Sequence, residues 1–165
     1  MIRPAAREDA RAIAELEVRA WRWAFVDIVE DPLMPSVEER EAHWTAEPLE
    51  GAFVAEVDGR VMGVVQVGAA PLQDAAAEAS DSGAVGRLRG LYVEPAAQGA
   101  GLGAALHAHA VAALEAAGYA AAVVWIFAAN GHARGFCERR GWTADGAAGV
   151  WEGVAEIRLR RTLPA

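Results

Sequence analysis

Between residues 88 and 104 the chain reads Leu-Arg-Gly-Leu-Tyr-Val-Glu-Pro-Ala-Ala-Gln-Gly-Ala-Gly-Leu-Gly-Ala, with glycine at every second position from 99 to 103. Leu88 to Val93 has the composition of a strand, and Pro95 stops it. Beyond the glycines, Leu102, Leu106, Ala110, Ala113 and Ala117 make a narrow apolar helix face that Gly118 ends. Small alanines let such a helix lie close to a sheet. Ala121 to Phe127 is then apolar on both faces, as a central buried strand requires. A strand, a glycine turn, a helix and a buried strand form a crossover, which belongs to a sheet covered by helices.

The flanking segments extend this pattern. Ile2 and Arg3 start a strand, and from Asp9 the residues Ile13, Leu16, Ala20 and Trp23 fall on one face of a helix. A second helix starts at Ser36, with Glu39 completing a capping box. Residues 53–57 and 61–67 flank Asp58-Gly59, the signal of a tight hairpin turn. Residues 68–86 read as a mobile surface loop carrying Asp74, Glu78 and Asp81. A helix follows from His132 to Arg140, and near the C-terminus Ala155, Ile157 and Leu159 alternate with Glu156, Arg158 and Arg160 as a half-exposed strand. The order β-α-α-β-β-β-α-β-α-β-β predicts an α/β fold with a mixed sheet covered by helices. At 165 residues, 54% hydrophobic and 23% charged, the chain suits one domain spanning 1–165 and excludes a disordered tail.

Charge and composition exclude several functions. All 15 basic residues are arginine, so a P-loop lysine is ruled out. A net charge of -8 has the wrong sign for nucleic acid or an anionic membrane and suits a cationic small molecule. The single cysteine, Cys137, cannot form an internal disulfide, and Met1-Ile2-Arg3-Pro4 lacks a signal-peptide pattern. The default compartment is the cytoplasm. The lysine-free, alanine-rich composition correlates with GC-rich bacterial genomes. His107 and His109 lie two apart on a helix and face different sides, so they supply no metal site.

The glycine loop has three readings: a plain turn, a dinucleotide fingerprint, or a pyrophosphate cradle. Gly99, Gly101 and Ala104 fit G-x-G-x-x-A, but the expected acidic residue is missing after the next strand, where Asn130 stands. NAD is therefore disfavoured. The run L-Y-V-x-P-x-x-Q-G-x-G-L-G instead resembles the acetyl-CoA signature of the GNAT N-acetyltransferase superfamily, Q/R-x-x-G-x-G/A, through Gln98, Gly101 and Gly103. Asn130 to Trp142 resembles a second family pattern, N-x-x-A-x-x-F-Y-x-x-x-G-F. The Ile-Arg-Pro start, first helix, Asp-Gly hairpin and final Arg-rich strand extend the likeness over nearly the whole chain.

The resemblance implies a mostly antiparallel central sheet with a splayed fourth and fifth strand and helices on both faces. It implies acetyl-CoA as co-substrate, no metal, and a small-molecule or peptide amine as acceptor, with a homodimer left open. Leu91, Tyr92 and Val93 would pair with pantetheine, Gln98, Gly99, Ala100, Gly101, Leu102, Gly103 and Ala104 would hold the pyrophosphate, and Asn130, Ala133 and Phe136 would line the pantetheine path.

Two departures concern proton transfer. Arg87 stands where many relatives have a Glu acting as base, and arginine cannot accept a proton. Asp74, Glu78, Asp81, Glu30 and His43 are alternative bases that the sequence does not rank. Cys137 replaces the Tyr that protonates departing CoA, and is a candidate general acid or a small buried core residue. Trp21 and Trp23 are candidate borders of the acceptor pocket. Asp27, Glu30, Asp31, Glu38, Glu39, Glu41, Glu47 and Glu50 form a negative stretch on the presumed acceptor side, favouring an ammonium substrate. The main expectation is direct acetyl transfer to a primary amine. The alternatives are a non-catalytic acyl-CoA sensor and an N-terminal peptide acetylase.

Overall fold

The structure is a computed structural model that describes residues 1–46, 48–75 and 84–164. Seven strands form one sheet in the order β1-β2-β3-β4-β5-β7-β6. These are β1 (Ile2–Pro4), β2 (Ala52–Val57), β3 (Arg60–Ala69), β4 (Val85–Val93), β5 (Ala121–Phe127), β6 (Thr143–Trp151) and β7 (Val154–Thr162). Among them only β4 and β5 pair in parallel. The helices are α1 (Ala10–Phe25), α2 (Val37–Ala46), a single turn α3 (Leu72–Ala75), α4 (Leu102–Ala116) and α5 (Gly131–Glu138). The mixed α/β architecture expected from the sequence is the one observed.

Strand alternation distributes the helices to two faces. Ala52, Val54 and Val64 pack with Ile13, Leu16 and Trp44 of α1 and α2. Ala55, Val65, Val67 and Leu88 pack instead with Leu106, Ala110 and Leu114 of α4. The hairpin turn forms as predicted, with Asp58 and Gly59 both at positive φ. Ser36 and Glu39 make the reciprocal capping box, at 2.8 and 3.1 Å. Asp9 ties β1 to α1, because both its oxygens take Arg3 (2.7 and 2.9 Å) and one also accepts the Ala6 N–H. Arg3 holds the Asp9 carboxyl below its ordinary range.

Four expectations are corrected. The loop after β3 is shorter than 68–86, since β3 runs to Ala69 and β4 begins at Val85, and its Asp74 is buried rather than solvated. Trp125 Nε1 donates to Asp74 at 3.2 Å, and Arg158 pairs with it at 3.4 Å. Arg158 is therefore buried too, with Asp145 at 2.6 Å as its second carboxylate partner, so β7 is largely half-buried as expected but its alternation fails at Arg158 and at the exposed Ala155. Trp23 is 52% exposed, because α1 turns Ile13, Leu16, Glu17 and Ala20 to the sheet instead. On α4 the buried face is Leu106, His107, Ala110, Val111 and Leu114, broader than the alanine stripe, because α4 is covered by α5 and Trp142 as well as by the sheet.

Candidate active site

The parallel pairing of β4 with β5 covers only Val85, Gly86 and Arg87 against Ala121, Ala122 and Val123. Beyond it β4 bonds only to β3, and Val124 to Phe127 bond only to β7. The two strands thus part into a cleft. One extra residue in β4 accompanies the parting, since Gln66 faces Gly90 and Val67 faces Leu88, leaving Arg89 as a bulge. Bulges bend a strand and increase its twist, which steers the second half of β4 away from β5.

One rim of the cleft is the predicted glycine loop. Gly99 and Gly101 both adopt φ near +82°, a conformation that residues with a Cβ rarely hold. The first bond of α4 runs from Ala105 N–H to the Gly101 carbonyl. The N–H groups of Leu102, Gly103 and Ala104 consequently have no partner within the helix and point at its open end, where the dipole favours an anion. Gly103 faces Val93 and Phe136, with 3.5 Å between a Cβ built there and the Phe136 ring. The other rim is the start of α5, where Asn130 accepts the Ala133 N–H at 3.1 Å as an N-cap. Arg140 stacks 3.7 Å over the Phe136 ring. Gly103 and Phe136 thus bring the glycine loop and the start of α5 close together.

Side chains along the end of β4 alternate. Leu91 and Val93 pack towards α4, while Tyr92 packs towards α1 and α2. On Tyr92's side lies a cavity of about 350 Å³ that the sequence did not locate. Its wall includes Glu17, Arg40, His43, Gln66, Arg87, Arg89, Gly90 and Tyr92. Gly90 leaves space for the Tyr92 ring, which would stand 2.9 Å from an added Cβ. Burial pushes the Tyr92 phenol up to about 12, opposed by a hydrogen bond with Trp21. Glu17 is held by Arg40 and by the Trp44 indole, both at 2.8 Å. α1 is clamped over the end of β4 by Arg19, whose guanidinium grips Glu94 at 2.8 to 3.0 Å.

The structure separates the proposed bases. His43 lines the cavity, whereas Glu30 borders a different depression beside Arg22 and Met34. Asp74 is committed to Trp125 and Arg158, and Glu78 and Asp81 lie outside the described residues. Neither Trp21 nor Trp23 is in the cavity wall; Trp21 packs with Phe25, Phe127 and Trp151. None of the described acidic residues between Asp27 and Glu50 lines the cavity, and Glu47 lies outside them. Glu38 and Glu41 face Arg11 instead, at 3.7 and 2.9 Å.

Cys137 is 5% exposed and belongs to the core with Leu106, Trp142 and Leu159. Burial pushes its thiol up to about 11. His107 is buried beside it, accepting the Trp142 indole N–H at 2.8 Å. Among the described residues no group of three or more His, Cys, Asp or Glu could hold a metal ion.

The model of the acetyltransferase (GNAT) family matches residues 11–142, and the chain belongs to that family. It is 30% identical over 132 residues to an uncharacterised N-acetyltransferase of Bacillus subtilis, YuaI, covering 78% of this chain and 72% of that one. Among solved structures it is similar to the PaiA N-acetyltransferase of Thermoplasma acidophilum, crystallised with coenzyme A: TM-score 0.78, 15% identity, 98% of both chains. It is also similar to YncA of Salmonella typhimurium, a putative acetyltransferase crystallised with acetyl-CoA: TM-score 0.74, 24% identity, 100% of this chain and 94% of that one.

Proposed function

We infer that the chain transfers an acetyl group from acetyl-CoA directly to a primary amine, using the β4/β5 cleft for the donor and the cavity beside Tyr92 for the acceptor. The parting of β4 from β5 carries this reading, because it exposes backbone groups of Leu91 to Val93 that an extended pantetheine arm can pair with. Two relatives of the same fold crystallised with CoA or acetyl-CoA support the choice of donor. The pyrophosphate takes the N–H groups of Leu102, Gly103 and Ala104 at the start of α4, with Gly99 and Gly101 shaping the loop around it. The pantetheine passes Asn130, Ala133 and Phe136. No step uses a metal.

Catalysis rests on proximity and on polarisation of the thioester carbonyl by backbone N–H near Val93. A lysine-like amine is mostly protonated at neutral pH, so it must lose a proton before attack. We assign that task to His43 because its imidazole stands in the cavity wall. Cys137 stays in the core, and the CoA thiolate, a good leaving group, departs without it.

Calorimetric titration with acetyl-CoA and NAD⁺, followed by thiol release over an amine and peptide panel, tests the reading. We expect one acetyl-CoA per chain, no NAD⁺, and turnover on some amines. His43→Gln should lower kcat by about 10- to 100-fold with acetyl-CoA affinity unchanged. Tight binding without turnover would favour the sensor alternative.

A further inference from the structure

Resting on that transferase reading, we propose that the acceptor is a small amine that also carries a carboxylate, and that Arg87 and Arg89 hold the carboxylate. The negative chain as a whole points to a cationic substrate, but the cavity does not share that sign. Three arginines line it against one carboxylate, Glu17, among the described residues. Arg40 is neutralised by Glu17 at 2.8 Å. The other two cations are not matched in this way.

Arg87 makes no hydrogen bond to any described residue. Its Nη1 is 3.8 Å from Asp74, whose shorter contacts go to Trp125 and Arg158, and its Nε is buried without an acceptor. Glu156 is a second described carboxylate in Arg87's field, and burial pushes it towards the neutral form. Arg89, the bulge residue, lies at the mouth and has no ion pair with any described residue. Its guanidinium lies along Gly68, 3.0 Å from where a Cβ there would be. A guanidinium presents its donors in a planar fork that matches a carboxylate, and such charge-assisted pairs are about twice as strong as neutral ones.

The position along β4 sets the orientation. Arg87 and Arg89 precede Gly90 and Tyr92 on one strand, so a carboxylate at the arginines leaves the amine a few bonds further on, beside Gly90 and Tyr92, where the cleft ends. The Gln66 side chain lies across from Gly90, buried and without a side-chain hydrogen bond to a described residue, and its carbonyl is an acceptor for the amine. A volume of about 350 Å³ suits a ligand of amino-acid size. The site therefore selects amino acids over polyamines and simple alkylamines.

The test compares initial rates of CoA release for the twenty α-amino acids and for their amides and decarboxylated amines, on the wild type and on Arg89→Ala and Arg87→Gln, with acetyl-CoA affinity measured in parallel. We expect the preferred acid to exceed its amide by about 100-fold or more in kcat/KM. Arg89→Ala should cut that ratio below about 10, mainly by raising KM, with acetyl-CoA affinity unchanged. Arg89 is exposed, so its loss does not threaten folding, whereas Arg87→Gln is read only where acetyl-CoA still binds. Equal or better use of the amides, or a ratio unmoved by Arg89→Ala, overturns the proposal alone, whereas no turnover of any panel member by a chain that binds acetyl-CoA overturns it together with the transferase reading and favours the sensor. Failure to bind acetyl-CoA overturns the transferase reading and the proposal with it.

Discussion

Cys137 and His107 show how a residue's surroundings decide its chemistry. Both sit in the apolar layer under α4 and α5, where a charged form is poorly solvated. The thiol is therefore driven up to about 11 and the imidazole down to about 4, and at neutral pH both are uncharged. Cys137→Ala should lower kcat by less than about 10-fold, and a loss of 100-fold or more with an altered basic limb of the pH profile would make it the general acid after all. His107 carries a stability consequence. Its folded value lies below the ordinary 6.5, so between pH 6.5 and 4 the unfolded chain binds the extra proton. Stability is complete above that window and falls as pH drops through it, by up to about 3 kcal/mol. His107→Gln, which still accepts from Trp142 but does not titrate, should flatten urea-denaturation stability across the same range. The turn at Gly99 and Gly101 and the cap at Asn130 were legible in the sequence, because a tight loop and a cap are local properties. Glu17 and Gln66 were not, and Tyr92 was expected for its backbone beside pantetheine and not for its ring in the cavity, because a strand or helix residue gains a role in a cavity only from what packs opposite it.

Among the elements, the join of β4, the glycine loop and α4 determines the donor cleft. Gly101 stands at the N-cap position of α4 with φ +83°. Gly101→Ala meets no neighbouring atom within 4 Å, so its cost is conformational alone. We expect a loss of about 1–2 kcal/mol of stability and a weakening of acetyl-CoA binding by about tenfold or more, read by thermal melting and calorimetry. The existence of these elements followed from their apolar periodicity and from Pro95, Gly118 and Gly141. The bulge at Arg89 did not, because a bulge depends on the register of the partner strand, and β3 and β4 are linked through residues whose composition says nothing about register.

Across the whole molecule, ion pairs hold together parts that are distant in sequence. Asp74, on the connection between β3 and β4, is fastened to Trp125 on β5 and Arg158 on β7. Asp74→Ala leaves Arg158 with Asp145 as its one carboxylate partner among the described residues, and should cost about 2–3 kcal/mol in chemical denaturation and raise KM for the acceptor, since Pro71, Ala69 and Arg87 border the cavity. A Tm unchanged within about 1 °C would remove that structural role. The net charge of -8 describes the field at a distance, whereas the cavity is lined by arginine because α2, β3 and β4 converge there. By itself the sequence determined which segments are strands and helices, that the sheet is mixed, and where the glycine loop and its family likeness lie, all properties of local spacing. The family likeness already implied that β4 and β5 part; only the tertiary structure decided that Arg89 bulges from β4, that His43 reaches the cavity while Glu30 does not, that Cys137 takes the buried one of its two expected roles, and that Asp74 is buried. Those outcomes depend on contacts between residues tens of positions apart, for which local periodicity carries no signal.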